Sequence, residues 1–89
     1  MELDVISKEA KGKLNRFLIN NHPLFGEDKL YLETVTSELI HVTHHKHMDF
    51  TVGRLRRVFR MIKQWCLDNN YVTGYIFVGA YGARFDEIL

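Results

Sequence analysis

The sequence predicts an α+β domain: three helices followed by a C-terminal β-hairpin. Three observations carry this. Apolar residues recur at helical spacing over Ile6–Asn20, where Ile6, Ala10, Leu14, Phe17 and Leu18 share a face. The same period governs Phe50–Leu67, which reads FTVGRLRRVFRMIKQWCL. Val72–Val78 (VTGYIFV) is dense in β-branched and aromatic residues, and a glycine-rich turn follows it.

Taken in order, the first helix has Asp4 or Ser7 as its cap, and Gly12 weakens it by about 1 kcal/mol relative to alanine. The stretch N-N-H-P-L-F-G ends it. Pro23 biases His22 away from helix, and Gly26 suits a turn. Lys29–Thr43 carries two signals. Leu32, Val35, Leu39 and Val42 keep a helical spacing, whereas Tyr31, Thr34, Val35, Thr36, Ile40, Val42 and Thr43 favour strands. The spacing predicts a helix over Leu32–Val42, with HHKHMD as a connector. Asp49 or Thr51 caps the third helix, and D-N-N stops it. Gly79–Gly82 then forms the hairpin loop, and Ala83–Ile88 returns as the partner strand.

A length of 89 residues sets a single domain over 1–89, and a hydrophobic fraction of 46% is ordinary for a globular chain. No apolar run reaches the roughly 18 residues that span a bilayer. The opening MELDVISKEAK has no basic segment followed by an apolar one, so no signal peptide and no membrane partner are expected. One cysteine excludes an intramolecular disulfide, and Cys66 falls on an apolar helix face. These features predict a soluble protein of a reducing, cytoplasmic compartment.

The net charge of +1 conceals a segregation. His41–Leu67 carries six cationic side chains against Asp49 alone, or +5, and the remaining 62 residues carry −4. On a helical wheel, Val52, Leu55, Val58, Phe59, Ile62, Trp65 and Cys66 occupy one half. Arg56, Arg57, Arg60, Lys63 and Gln64 occupy the other, with Arg54 near the border. A solvated helix commonly interleaves Glu with Arg to gain i,i+4 pairs, and this one does not. A row of guanidinium groups without acids is suited to phosphate or to an acidic protein surface. Lys46 and Arg84 add to the candidate binding set. A simple solvated face is the plain alternative.

The order of elements and the basic third helix resemble the winged helix-turn-helix. That resemblance implies a DNA-binding regulator of transcription. Leu32–Val42 would be the supporting helix, Arg54, Arg56, Arg57, Arg60 and Lys63 would face DNA, and Arg84 would lie on the wing. DNA is favoured over RNA. Only Gln64 offers a side-chain amide for reading adenine, so the helix grips backbone more than it reads bases. The alternative is a small adaptor or inhibitor, of the kind encoded by viruses or mobile elements, that docks the same Arg face on an acidic host protein. A homodimer formed through the C-terminal hairpin is a further option.

Other constellations carry less. His41, His44, His45 and His47 offer imidazoles for a metal, but no second Cys and no H-E-x-x-H accompany them, so no metal or cofactor is expected. G-Y-I-F-V-G-A-Y-G lacks the lysine and following helix of a phosphate loop. Tyr71, Tyr75, Phe77 and Tyr81 could stack single-stranded bases or serve as a core-facing row with a tyrosine at the loop tip. No nucleophile with a placed base is visible, so no catalytic residue and no enzyme activity are expected.

Overall fold

The computed structural model describes residues 2–45 and 49–89, with side chains from residue 6 onward in the first span. In chain order the elements are α1 (Glu2–Asn21), the one-turn α2 (Pro23–Gly26), β1 (Leu30–Val35), β2 (Leu39–His44), α3 (Val52–Asp68), β3 (Tyr75–Val78) and β4 (Tyr81–Arg84). A 3₁₀ turn over Phe85–Glu87 closes the chain. The strands form one sheet in the order β1-β2-β3-β4.

This order corrects the predicted one. Two antiparallel strands stand where the spacing predicts a helix over Leu32–Val42, so the arrangement of three helices followed by a hairpin does not hold, nor does its winged-helix-like form. The physical reason is a bulge. Leu32 pairs with Val42 and Thr34 with His41, which leaves Glu33 as an extra residue in β1. The inward positions therefore fall at Leu30, Leu32 and Val35, and the step of three imitates a helix. In β2 the buried residues are Ile40 and Val42, and Leu39 is only half-buried. Thr36 shapes the tight loop between the two strands. Its N–H donates to Leu39 O at 2.9 Å, and its hydroxyl accepts from Leu39 N at 3.1 Å.

β2 and β3 run parallel, with Ile40 beside Ile76 and Val42 beside Val78. A parallel pair needs a long crossover, and α3 supplies it. The start of β3 is pinned to the β1–β2 loop. Gly74 and Tyr75 both donate to Glu38 O, at 3.2 and 3.1 Å, and the buried Thr73 hydroxyl donates to Thr36 O at 2.9 Å. A Cβ on Gly74 would sit 2.9 Å from Glu38 O, so this approach requires glycine.

Both long helices cover the same face of the sheet. Ala10, Leu14 and Leu18 of α1 and Val58, Ile62, Trp65 and Cys66 of α3 join the inward strand residues in one core. Ile6, placed on the apolar stripe by its spacing, is 52% exposed. Pro23 opens α2 at a position whose N–H has no intrahelical partner. Asn70, at φ 55°, ends α3 in the left-handed region, and Tyr71 N then reaches back to Cys66 O at 2.9 Å. The β3–β4 loop is only Gly79-Ala80, tighter than the four residues predicted, and Gly82 belongs to β4. Among the described residues no helix is long and apolar enough to cross a membrane.

Ile40 is fully buried in a central strand, so Ile40→Val is expected to lower stability by about 0.5–1.5 kcal/mol. Urea unfolding followed by Trp65 fluorescence should show a lower midpoint at unchanged slope. Ile6→Val should leave the midpoint within the error of the measurement.

Candidate anion-binding surface

α3 begins where Thr51 caps it, with the hydroxyl accepting from Arg54 N at 3.1 Å. Val58, Ile62, Trp65 and Cys66 form the buried stripe, and Arg54, Arg56, Arg57, Arg60 and Gln64 are exposed. Val52, assigned to the apolar half of the wheel, is 68% exposed because it lies in the first turn, ahead of the buried stripe. Among the described side chains, no carboxylate forms an ion pair with an α3 arginine.

The cations nevertheless have different surroundings. Arg60 Nε donates to Leu89 O at 3.0 Å, and Lys63 Nζ donates to Ile88 O at 2.6 Å while lying 5.3 Å from the Phe85 ring centroid. These two residues anchor the C-terminal segment along α3. Gln64 is engaged with Asp68 at 2.9 Å. Arg57 is exposed, and its charge is felt at His22, ahead of α2. Burial of His22 and then the Arg57 charge hold the His22 imidazole below its ordinary pKa. On α3, Arg54 and Arg56 are exposed guanidinium groups with no such engagement among the described contacts.

Arg84 is separated from these residues. It sits directly across from Tyr75 on β4, on the sheet face opposite α3, with Nε 3.6 Å from Asp86. Lys46 and His47 lie outside the described residues. The predicted set is therefore divided between the helix layer and the outer sheet face. A groove of about 520 Å³ runs between α3 and the C-terminal segment, with Leu55, Phe59, Ala83 and Leu89 among its apolar lining and Arg56 and Arg60 beside them.

No family model, curated protein or solved structure matches this chain.

Sequence reasoning missed the β1–β2 part of the outer sheet face. There the bulge residue Glu33 receives the Thr43 hydroxyl at 2.9 Å and lies 3.1 Å from His41 Nδ1. The Tyr31 ring lies tilted against His45, with 4.4 Å between ring centroids. Alternation along a strand was the available signal, and the unrecognised bulge hid it in β1. The tyrosines also divide. Tyr75 and Phe77 point to this face, Tyr71 packs near Trp65, and Tyr81 meets Phe50 edge to face. Among the described residues no group of three His, Cys, Asp or Glu side chains is arranged to hold a metal. Cys66 is buried, and burial pushes its thiol up to about 12, which leaves it without the thiolate that reacts.

His22 accepts from Leu24 N at 3.2 Å through Nδ1, so protonation removes the α2 cap as well as charging a buried ring. Its folded pKa is lowered, so the unfolded chain takes up the proton first. Stability is expected to fall as pH drops through about 6.5 toward the folded value. His22→Asn keeps a capping oxygen without titrating. Urea midpoints across that range should fall less for the variant than for the natural chain.

Proposed function

We propose that this protein binds nucleic acid by gripping the phosphate backbone with the exposed side of α3. The observation that carries this reading is the exposed pair Arg54 and Arg56 on α3, neither with a carboxylate partner among the described side chains. A phosphate accepts paired hydrogen bonds from a guanidinium group, and each such contact releases counterions. Backbone gripping needs no entry of the helix into the major groove, so the reading does not depend on the winged-helix arrangement. The proposed role is binding rather than catalysis, in a cytoplasmic setting that suits a free buried thiol.

A second reading is docking on an acidic protein surface. It is favoured by the groove beside Arg56 and Arg60, whose apolar lining offers more than charge. Capture of partners before and after nuclease treatment separates the two, because a protein partner survives the nuclease.

Arg54→Glu with Arg56→Glu reverses two exposed charges and disturbs neither Arg60 nor Lys63 at the C-terminal segment. Affinity for nucleic acid should collapse with no change in the urea midpoint. For the natural chain on duplex DNA, log K should fall with log salt by about 0.9 per phosphate engaged. Unchanged binding by the double variant would reject this reading.

A further inference from the structure

The two helices pack on one face of the sheet, and α1 borders the other face at the β1 edge, where Ile6, Lys8 and Lys11 line a groove with Glu33 and Thr34. That open face is aromatic at its centre. Tyr75 and Phe77 alternate along β3 with their ring planes 27° apart and their centroids 6.0 Å apart. Gly82 stands across from Phe77 on β4, and a Cβ there would lie 2.5 Å from the Phe77 ring. The Phe77 ring is thus laid over the glycine of the edge strand instead of standing upright. His41 meets the Phe77 ring edge-on from the other side, at 6.4 Å and 81°. Tyr75 is 46% exposed.

The charges around this pair are arranged asymmetrically. On the β1 and β2 side, the Glu33 carboxylate is engaged by His41 and the Thr43 hydroxyl. On the β4 side, Arg84 stands across from Tyr75 with its side chain 58% exposed, and Asp86 is its nearby acid. Behind that edge strand, Ala83 lines the groove that also holds Arg56 and Arg60. Cationic groups therefore stand on both sides of the β4 edge, accompanied there by the acids Asp86 and Glu87.

We propose that the open sheet face is a base-stacking platform for single-stranded nucleic acid, with Tyr75 and Phe77 each taking a base and Arg84 meeting the backbone as it turns over the β4 edge. This inference rests on the reading that α3 binds phosphate, and it names the class of nucleic acid. Every base has a π-face, so neighbouring rings on a sheet hold bases with little regard to sequence. A duplex keeps its bases stacked inside and cannot offer them to both rings. A single strand also bends sharply enough to leave the sheet and reach the arginines behind the edge.

The test is fluorescence anisotropy of the full chain with three labelled probes: a short thymidine oligomer, an abasic oligomer of the same length and charge, and a duplex. The thymidine oligomer should bind about tenfold or more tightly than the abasic one, since only the bases differ. Tyr75→Ala should weaken thymidine binding by about five-fold to a hundred-fold and leave abasic binding unchanged. Tyr75→Phe should retain the affinity, because the ring and not the hydroxyl is used. A uridine oligomer in parallel shows whether the strand is DNA or RNA.

Equal binding of thymidine and abasic probes would overturn the platform, as would an unchanged affinity for Tyr75→Ala. If the α3 charge reversal still weakens both probes in that case, the helix reading stands alone. Should Tyr75→Ala weaken thymidine binding while the charge reversal does not, the platform stands and the helix reading falls. Binding of no probe rejects both. Sedimentation completes the test: if Tyr75→Ala only converts a two-chain particle to a one-chain particle, the face joins copies of this chain and the proposal is wrong.

Discussion

The parallel pairing of β2 with β3 is the constraint on which the other features depend. Parallel neighbours cannot be joined by a tight turn, so the chain must leave the sheet after His44, cross it and return at Tyr75. The crossover is α3, and it stays against the sheet because Val58, Ile62, Trp65 and Cys66 are buried there. α1 fills the rest of that face through Leu14 and Leu18. One layer of helices then uses the apolar side of all four strands, and the other side is left to polar and aromatic residues. The exposed arginines of α3 and the aromatic pair are both consequences of this single arrangement, one on each outer surface.

Local backbone chemistry makes the arrangement reproducible. Thr36 closes the β1–β2 loop, Gly74 lets β3 approach that loop, and Asn70 turns the chain out of α3. Thr36 and Asn70 act within a few residues, whereas at Gly74 the contact is distant in the chain: Glu38 O accepts from both Gly74 and Tyr75 and so ties the second half of the sheet to the first. Lys63 and Arg60 do the same for the C-terminal segment by holding Ile88 O and Leu89 O. Some of the cationic helix is thus engaged in holding the fold together, and the charge left for a partner is concentrated toward the N-terminal half of α3. A row of charges on a wheel does not distinguish these two uses, because the partners of Arg60 and Lys63 lie more than twenty residues away.

The readings over Leu32–Val42 and over the aromatic tail show how far a sequence pattern can be followed. In β1 the extra residue Glu33 shifts the inward side by one position, so Leu32 and Val35 acquire the spacing of a helix. The β-branched residues of the same segment favoured strands, and that signal agrees with the structure. In the tail, Tyr75 and Phe77 share a face by simple alternation. Which face is covered depends on where α1 and α3 pack, and alternation carries no information about that. The placement of Arg84 away from α3 was illegible for the same reason.

By itself the sequence determined the local properties of this protein: the amphipathic character of α1 and α3, the run of guanidinium groups on α3, and the strand character and turn glycines near the C-terminus. These depend on side-chain periodicity and backbone preference within a few residues. Only the tertiary structure decided that residues 32–42 form a bulged hairpin, that β2 runs parallel to β3, and that both helices share one face of the sheet. Those outcomes come from burial of surfaces distant in the chain, and the energy of that burial is not carried by any one segment.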